Sequence, residues 1–111
     1  ISQVFINLIH NAIKFTPNGG KVEVTAFQDG KQVVFKVSDN GVGIAQKDIT
    51  RIFERFYKAD RARSGGGTGL GLSICRHIVE AHGGKIWAES VENSGSDFYF
   101  SIPVVYPEEQ N

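Results

Sequence analysis

Two stretches of strict alternation, each set behind a helical pattern, restrict this chain to a small set of architectures. Val22, Val24 and Ala26 alternate with Lys21, Glu23 and Thr25, Asp29-Gly30 supplies a tight turn, and Val33, Phe35 and Val37 alternate again. Period-two patterns flanking an Asp-Gly pair specify a β-hairpin. Lys85 to Ser90 and Asp97 to Val104 repeat the arrangement around Ser94-Gly95, with Phe98, Phe100 and Ile102 on one face. Ahead of the first hairpin, Ile1, Val4, Phe5, Leu8, Ile9, Ala12 and Ile13 recur at the spacing of one helix face, and Thr16-Pro17-Asn18-Gly19-Gly20 ends it. A second long helix is expected from Leu70 to His82, closing at Gly83-Gly84. Ile49, Ile52, Phe53 and Phe56 suggest a short one before it, and Lys58 to Thr68 reads as a mobile loop. Segregated hairpins with helices on one side define an α+β two-layer sandwich with a mostly antiparallel sheet.

One domain of residues 1–105 with a polar tail at 106–111 fits the length of 111 residues. Lys and Arg together number 12, as do Asp and Glu, so no global positive field marks a nucleic-acid or membrane-surface binder, and an anionic ligand must be held by local groups. The single Cys75 excludes an intramolecular disulfide and fits a reducing, cytoplasmic setting as a buried thiol. No apolar run approaches the ~20 residues of a membrane span. Ile1 already lies inside an amphipathic pattern with no cap before it, which predicts that the natural chain continues upstream.

Three groups of residues could carry chemistry. Asn7, Asn11 and Lys14 sit at i, i+4 and i+7, on one stripe beside the apolar face of the first helix. They can converge on one ligand, or form a solvated polar face. On the second strand Val33, Phe35, Val37 and Asp39 share parity, so an apolar face ends in a carboxylate that needs a partner. The exocyclic amine of adenine would serve, and so would a turn amide. Gly41 and Gly43 follow closely and would let a flat ring lie against bare backbone. Third, Gly65-Gly66-Gly67-Thr68-Gly69-Leu70-Gly71-Leu72 runs into a helix N-terminus, where amides and dipole favour phosphate. It matches neither a P-loop nor a GxGxxG motif.

Together, Asn7-Leu8-Ile9-His10-Asn11-Ala12-Ile13-Lys14-Phe15-Thr16-Pro17, Asp39-Asn40-Gly41-Val42-Gly43-Ile44, Ile52-Phe53-Glu54-Arg55-Phe56-Tyr57 and Gly67-Thr68-Gly69-Leu70-Gly71-Leu72 resemble the N, G1, F and G2 boxes of sensor histidine kinases, in the family's order. Ala81-His82-Gly83-Gly84 and Gly95-Ser96-x-Phe98 extend the likeness, so that it runs from about Gln3 to Ile102. The resemblance implies the Bergerat ATP-binding fold, here lacking the helix and strand that usually precede the N box. It implies ATP and Mg²⁺, with Asn11 on the metal, Asn7 supporting it, and Lys14 and Lys58 on phosphate oxygens as the catalytic set. Asp39 would read the adenine amine, Gly41, Gly43 and Ile44 would border the base, and Phe15 would stack. Phe53 and Phe56 would anchor a lid, and Tyr57 would lie near the nucleotide. Gly67, Gly69 and Gly71 would bring amides to the phosphates, Thr68 would join a water network at the adenine, and Leu70 and Leu72 would complete the site.

The partners so implied are a dimerisation domain carrying the acceptor histidine, a response regulator and, in a membrane-anchored full-length protein, a second protomer. His10, His77 and His82 do not sit in an acceptor-like context. A different Bergerat ATPase, an anti-sigma serine kinase or a nucleotide-sensing module would share the fold. The Phe53-Glu54-Arg55-Phe56-Tyr57 box favours the histidine kinases.

Overall fold

The computed structural model describes residues 1–57 and 71–104. The expected loop over Lys58 to Thr68, the site candidates Lys58, Gly67, Thr68, Gly69 and Leu70, and the polar tail lie outside the described residues.

Helix α1 spans Ser2–Lys14, and its apolar stripe buries Val4, Leu8 and Ala12. It ends where Thr16 turns its hydroxyl back onto the Ala12 carbonyl at 2.7 Å. Strands β1 (Val22–Asp29) and β2 (Gln32–Asp39) form the first hairpin, α2 spans Gln46–Ile49 and α3 spans Gly71–Ala81. Strands β3 (Lys85–Val91) and β4 (Gly95–Pro103) form the second hairpin. The sheet runs β1-β2-β4-β3 with every neighbouring pair antiparallel, so the two hairpins meet through β2 and β4. This is the α+β sandwich expected from the alternation.

The core lies between the sheet and the helices α1 and α3. Phe5 from α1 meets Phe35 and Phe100 edge-on, with ring centroids 5.0 Å away in each case, while Phe35 and Phe100 stack at 4.9 Å. Phe98 and Phe100 are fully buried, each stabilising the fold by roughly 2–3 kcal/mol. The other face of the sheet carries Trp87 stacked on Tyr99 at 5.2 Å, with the Lys36 ammonium 5.9 Å from the Tyr99 ring. Among the described residues no helix is long and apolar enough to cross a membrane.

One strand packs less than its neighbour, and one expectation fails. The alternation in β1 forms the strand but not a buried face, since Val24 is 46% exposed and Ala26 is also exposed. Helix α1 lies over β2 and leaves the edge strand β1 largely beyond the helical layer. The apolar run Ile49, Ile52, Phe53, Phe56 is not one helix. After Ile49 the chain proceeds by successive turns, with Arg51 N–H on the Asp48 carbonyl, Glu54 N–H on Arg51 and Tyr57 N–H on Glu54. These three-residue turns keep the same side chains near one another without a continuing i→i−4 ladder, so periodicity alone could not separate the two.

Candidate functional site

Beyond the hydrophobic rows of its inner face the sheet ends in a polar row. Asp39 pairs with Ser96 across β2 and β4, and Ser96 pairs with Ser90 across β4 and β3. Each continues the inward parity of a strand: Phe35, Val37 and Asp39; Phe100, Phe98 and Ser96; Ile86, Ala88 and Ser90. Asp39 is only 6% exposed, and its Oδ1 accepts the Gly41 N–H at 2.9 Å. One oxygen therefore closes a turn, as the plainer sequence reading allowed.

The segment after Asp39 is clasped by backbone on both sides. Val42 N–H donates to the Phe15 carbonyl at 3.1 Å, and Asn93 N–H donates to the Val42 carbonyl at 2.7 Å. These bonds tie the loop to the end of α1 and to the turn between β3 and β4, and so bring Asp39 into one neighbourhood with Asn11, Lys14 and Phe15. The glycines follow from this clasp. A Cβ on Gly41 would overlap the Phe15 carbonyl. At Gly43, where φ is +71°, a Cβ would overlap the carbonyl of Val91. Their bare Cα positions are thus used against protein backbone, a different reason from the flat ring first envisaged.

On α1 the stripe is half-buried at Asn7 and Asn11 and exposed at Lys14. The Asn11 Nδ2 is buried and finds no partner among the described residues. A buried carboxamide nitrogen is costly without a bond, which marks Asn11 as turned toward something outside the described residues. Asn7 faces Cys75 of α3 closely enough to affect its thiol. Burial pushes the Cys75 thiol above its ordinary range, with the Asn7 contact opposing in part, so Cys75 is a neutral packing residue. The Lys14 ammonium sits 5.4 Å from the centre of the Phe15 ring, close enough for a cation–π contact.

Other candidates take different places. Ile44 is 1% exposed and belongs to the hydrophobic core. Its side chain anchors the end of the 39–44 segment in the core. Tyr57, expected beside the nucleotide, donates its hydroxyl to the buried carboxylate of Asp48, and the Arg51 guanidinium lies 4.4 Å from its ring centre. Phe53 packs edge-on against Phe98 at 6.2 Å. Phe56 is 59% exposed with φ at +66°, and the lid that both were expected to anchor lies outside the described residues. Gly71 opens α3 with open space around it, and Leu72 packs against the core.

Sequence reasoning missed Asp48 and Ser90. Nothing local distinguishes Asp48 from a helix-capping acid. Ser90 carried a usable signal, since a polar residue on the parity of Ile86 and Ala88 repeats the logic that singled out Asp39.

A two-layer sandwich whose sheet ends in a buried carboxylate, joined through a glycine clasp to a helix whose Asn11 nitrogen has no partner among the described residues, defines a class of ATP-binding domains. The match to known families agrees: the chain belongs to the histidine kinase-, DNA gyrase B-, and HSP90-like ATPases, whose family pattern covers residues 1–106. It is 45% identical to the sensor histidine kinase WalK of Bacillus subtilis (strain 168), over 99% of this chain and 18% of that protein. Among solved structures it is similar to full-length ShkA in complex with AMPPNP, at a TM-score of 0.79 and 37% identity over 91% of this chain and 20% of that one. It is also similar to the histidine kinase ThkA in complex with the response regulator TrrA, at a TM-score of 0.74 and 40% identity over 93% of this chain and 28% of that one. The chain therefore spans under a fifth of WalK.

Proposed function

We propose that this chain binds ATP with Mg²⁺ and donates the γ-phosphoryl group to a histidine on a separate dimerisation domain, as one step of two-component signalling with a response regulator. The observation that carries the reading is the clasp that joins Asp39 to the end of α1, because it sets an adenine reader and a polar phosphate end on one frame. Asp39 accepts the adenine amine, and Phe15 offers a ring for stacking. Lys14 serves phosphate oxygens, together with Lys58 and the amides of Gly67, Gly69 and Gly71, with Thr68 on the adenine side.

Asn11 fits a Mg²⁺ ion, with Asn7 in support. A carboxamide oxygen is a hard ligand, and no set of three or more acids, His or Cys among the described residues could form an all-protein cage. An ion held largely by water and phosphate needs no such cage, and when bound it neutralises charge developing between the phosphates. With an unperturbed pKa of about 6.5 the acceptor imidazole is largely neutral near pH 7 and attacks through its unprotonated nitrogen, so this domain need not supply a strong base. What its residues contribute is position and charge.

The test is a titration with ATP, with and without Mg²⁺, followed by labelling of a separately supplied acceptor domain. Expected are Mg²⁺-dependent binding, acid-labile label on that domain and none on this chain. Label on this chain that disappears in His10→Gln, His77→Gln or His82→Gln would overturn the reading of it as a donor only.

A further inference from the structure

The polar row at the end of the sheet contains a hydroxyl that the roles above leave unused. Ser90 Oγ accepts the Ile44 N–H at 2.8 Å and donates to the Gly95 carbonyl at 2.8 Å, and Ser96 Oγ lies 2.9 Å away. A hydroxyl has one proton and two lone pairs. Since the Ser90 proton goes to Gly95, Ser96 is the donor in the third bond, and the bonding capacity of Ser90 is filled. Its two backbone partners sit at opposite ends of one assembly. Ile44 closes the 39–44 segment, and Gly95 lies so near the backbone of Asp39 that a Cβ there would overlap the Asp39 carbonyl. The Val91 carbonyl, next along the chain from Ser90, is the atom against which Gly43 packs.

We propose that Ser90 is a positioning residue for adenine recognition. Its single hydroxyl fixes the gap between the 39–44 segment and the turn joining β3 to β4, and thereby the direction of the Asp39 carboxylate. The Ser96 hydroxyl bonds Ser90 and, among the described residues, makes no hydrogen bond to Ile44, so the two serines are separable although both lie in the same polar row. This inference rests on the reading of Asp39 as the adenine reader.

The experiment compares Ser90→Ala, Ser90→Cys and Ser96→Ala in the full chain, using calorimetry with ADP and with inorganic tripolyphosphate, each with Mg²⁺, and amide exchange at Ile44. Losing the hydroxyl that joins Ile44 to Gly95, and with it the orientation of Asp39, predicts about tenfold weaker ADP binding in Ser90→Ala, with tripolyphosphate binding unchanged within about twofold. The Ile44 amide should exchange faster in that variant while the Val37 and Phe98 amides in the sheet stay protected. Ser96→Ala should keep ADP affinity within about threefold of wild type, because the Ser90 bonds to Ile44 and Gly95 survive. Equal loss of ADP affinity in Ser90→Ala and Ser96→Ala, or equal loss for ADP and tripolyphosphate, would reduce Ser90 to a stabilising residue and overturn the proposal. Should Ser90→Ala fail to fold, Ser90→Cys decides: its thiol is a weak donor and acceptor, so unchanged ADP affinity in folded Ser90→Cys overturns it too. Wild-type protein that binds neither ligand would remove the adenine reading and this inference together. Wild-type binding with unaffected Ser90 variants would remove the inference alone.

Discussion

Replacing Asp39 in two ways separates its two duties. Asp39→Asn retains an oxygen for the Gly41 N–H, held at 2.9 Å in the wild type, while the second oxygen becomes an NH₂ group. That group meets the adenine amine donor to donor, so one charge-assisted bond worth about 1.5–3 kcal/mol is lost, which is roughly a 10- to 150-fold rise in Kd. The fold should change little, because the turn survives. Asp39→Ala loses the same recognition and also orphans the Gly41 amide at a buried site, costing roughly 1–3 kcal/mol of stability. Calorimetry with ADP and urea denaturation of both variants give the two numbers independently. If Asp39→Asn binds ADP within twofold of wild type, the carboxylate does not read adenine. If the two variants are equally stable, the bond to Gly41 is not what holds the turn.

Asn11→Ala should abolish the Mg²⁺-dependent part of ATP affinity and leave adenosine binding nearly intact, and titrations of both ligands with and without the metal check this. Gly43→Ala combines a positive φ with overlap on the Val91 carbonyl and should lower stability by about 2–4 kcal/mol, read as a fall in Tm. Tyr57→Phe deprives the buried Asp48 of its hydroxyl donor and should cost about 1–3 kcal/mol in urea denaturation, with little change in ADP affinity. Cys75, neutral and fully buried, should react with a thiol reagent far more slowly in native protein than in urea.

Periodicity carried the elements well where one physical rule dominated. The stripe of α1 and both hairpins follow from burial on one face, and the inward parity of Asp39 placed a carboxylate at the end of the core. The rule gave out where two rules compete. In the Ile49 to Phe56 run, turns and a helix bury similar side chains. In β1 the alternation is real, but whether Val24 is covered depends on how far the helical layer extends, which no local pattern encodes. Gly41 and Gly43 read in the sequence as positions for a flat ring, whereas their immediate neighbours are the carbonyls of Phe15 and Val91, brought there by tertiary pairing. Ser90 carries the same parity signal as Asp39, but a serine costs far less to bury than a carboxylate, so parity alone does not single it out.

The pairing of β2 with β4 has a consequence for the order in which this molecule acquires its properties. Each hairpin is local and can form early, but Asp39 meets Ser96 only after a loop containing both α2 and α3 has closed. The Gly95 backbone that backs Asp39, and the turn that clasps Gly43, arrive with that last step. A partly folded chain with either hairpin intact would hold half of the recognition frame and should bind no nucleotide. Ligand affinity then reports completion of the sheet, and a nucleotide that binds the finished frame withdraws material from the unfinished one, raising apparent stability with ligand concentration by mass action. In cells, where ATP is abundant, the ligand would in this way help decide how much of the chain is folded at all.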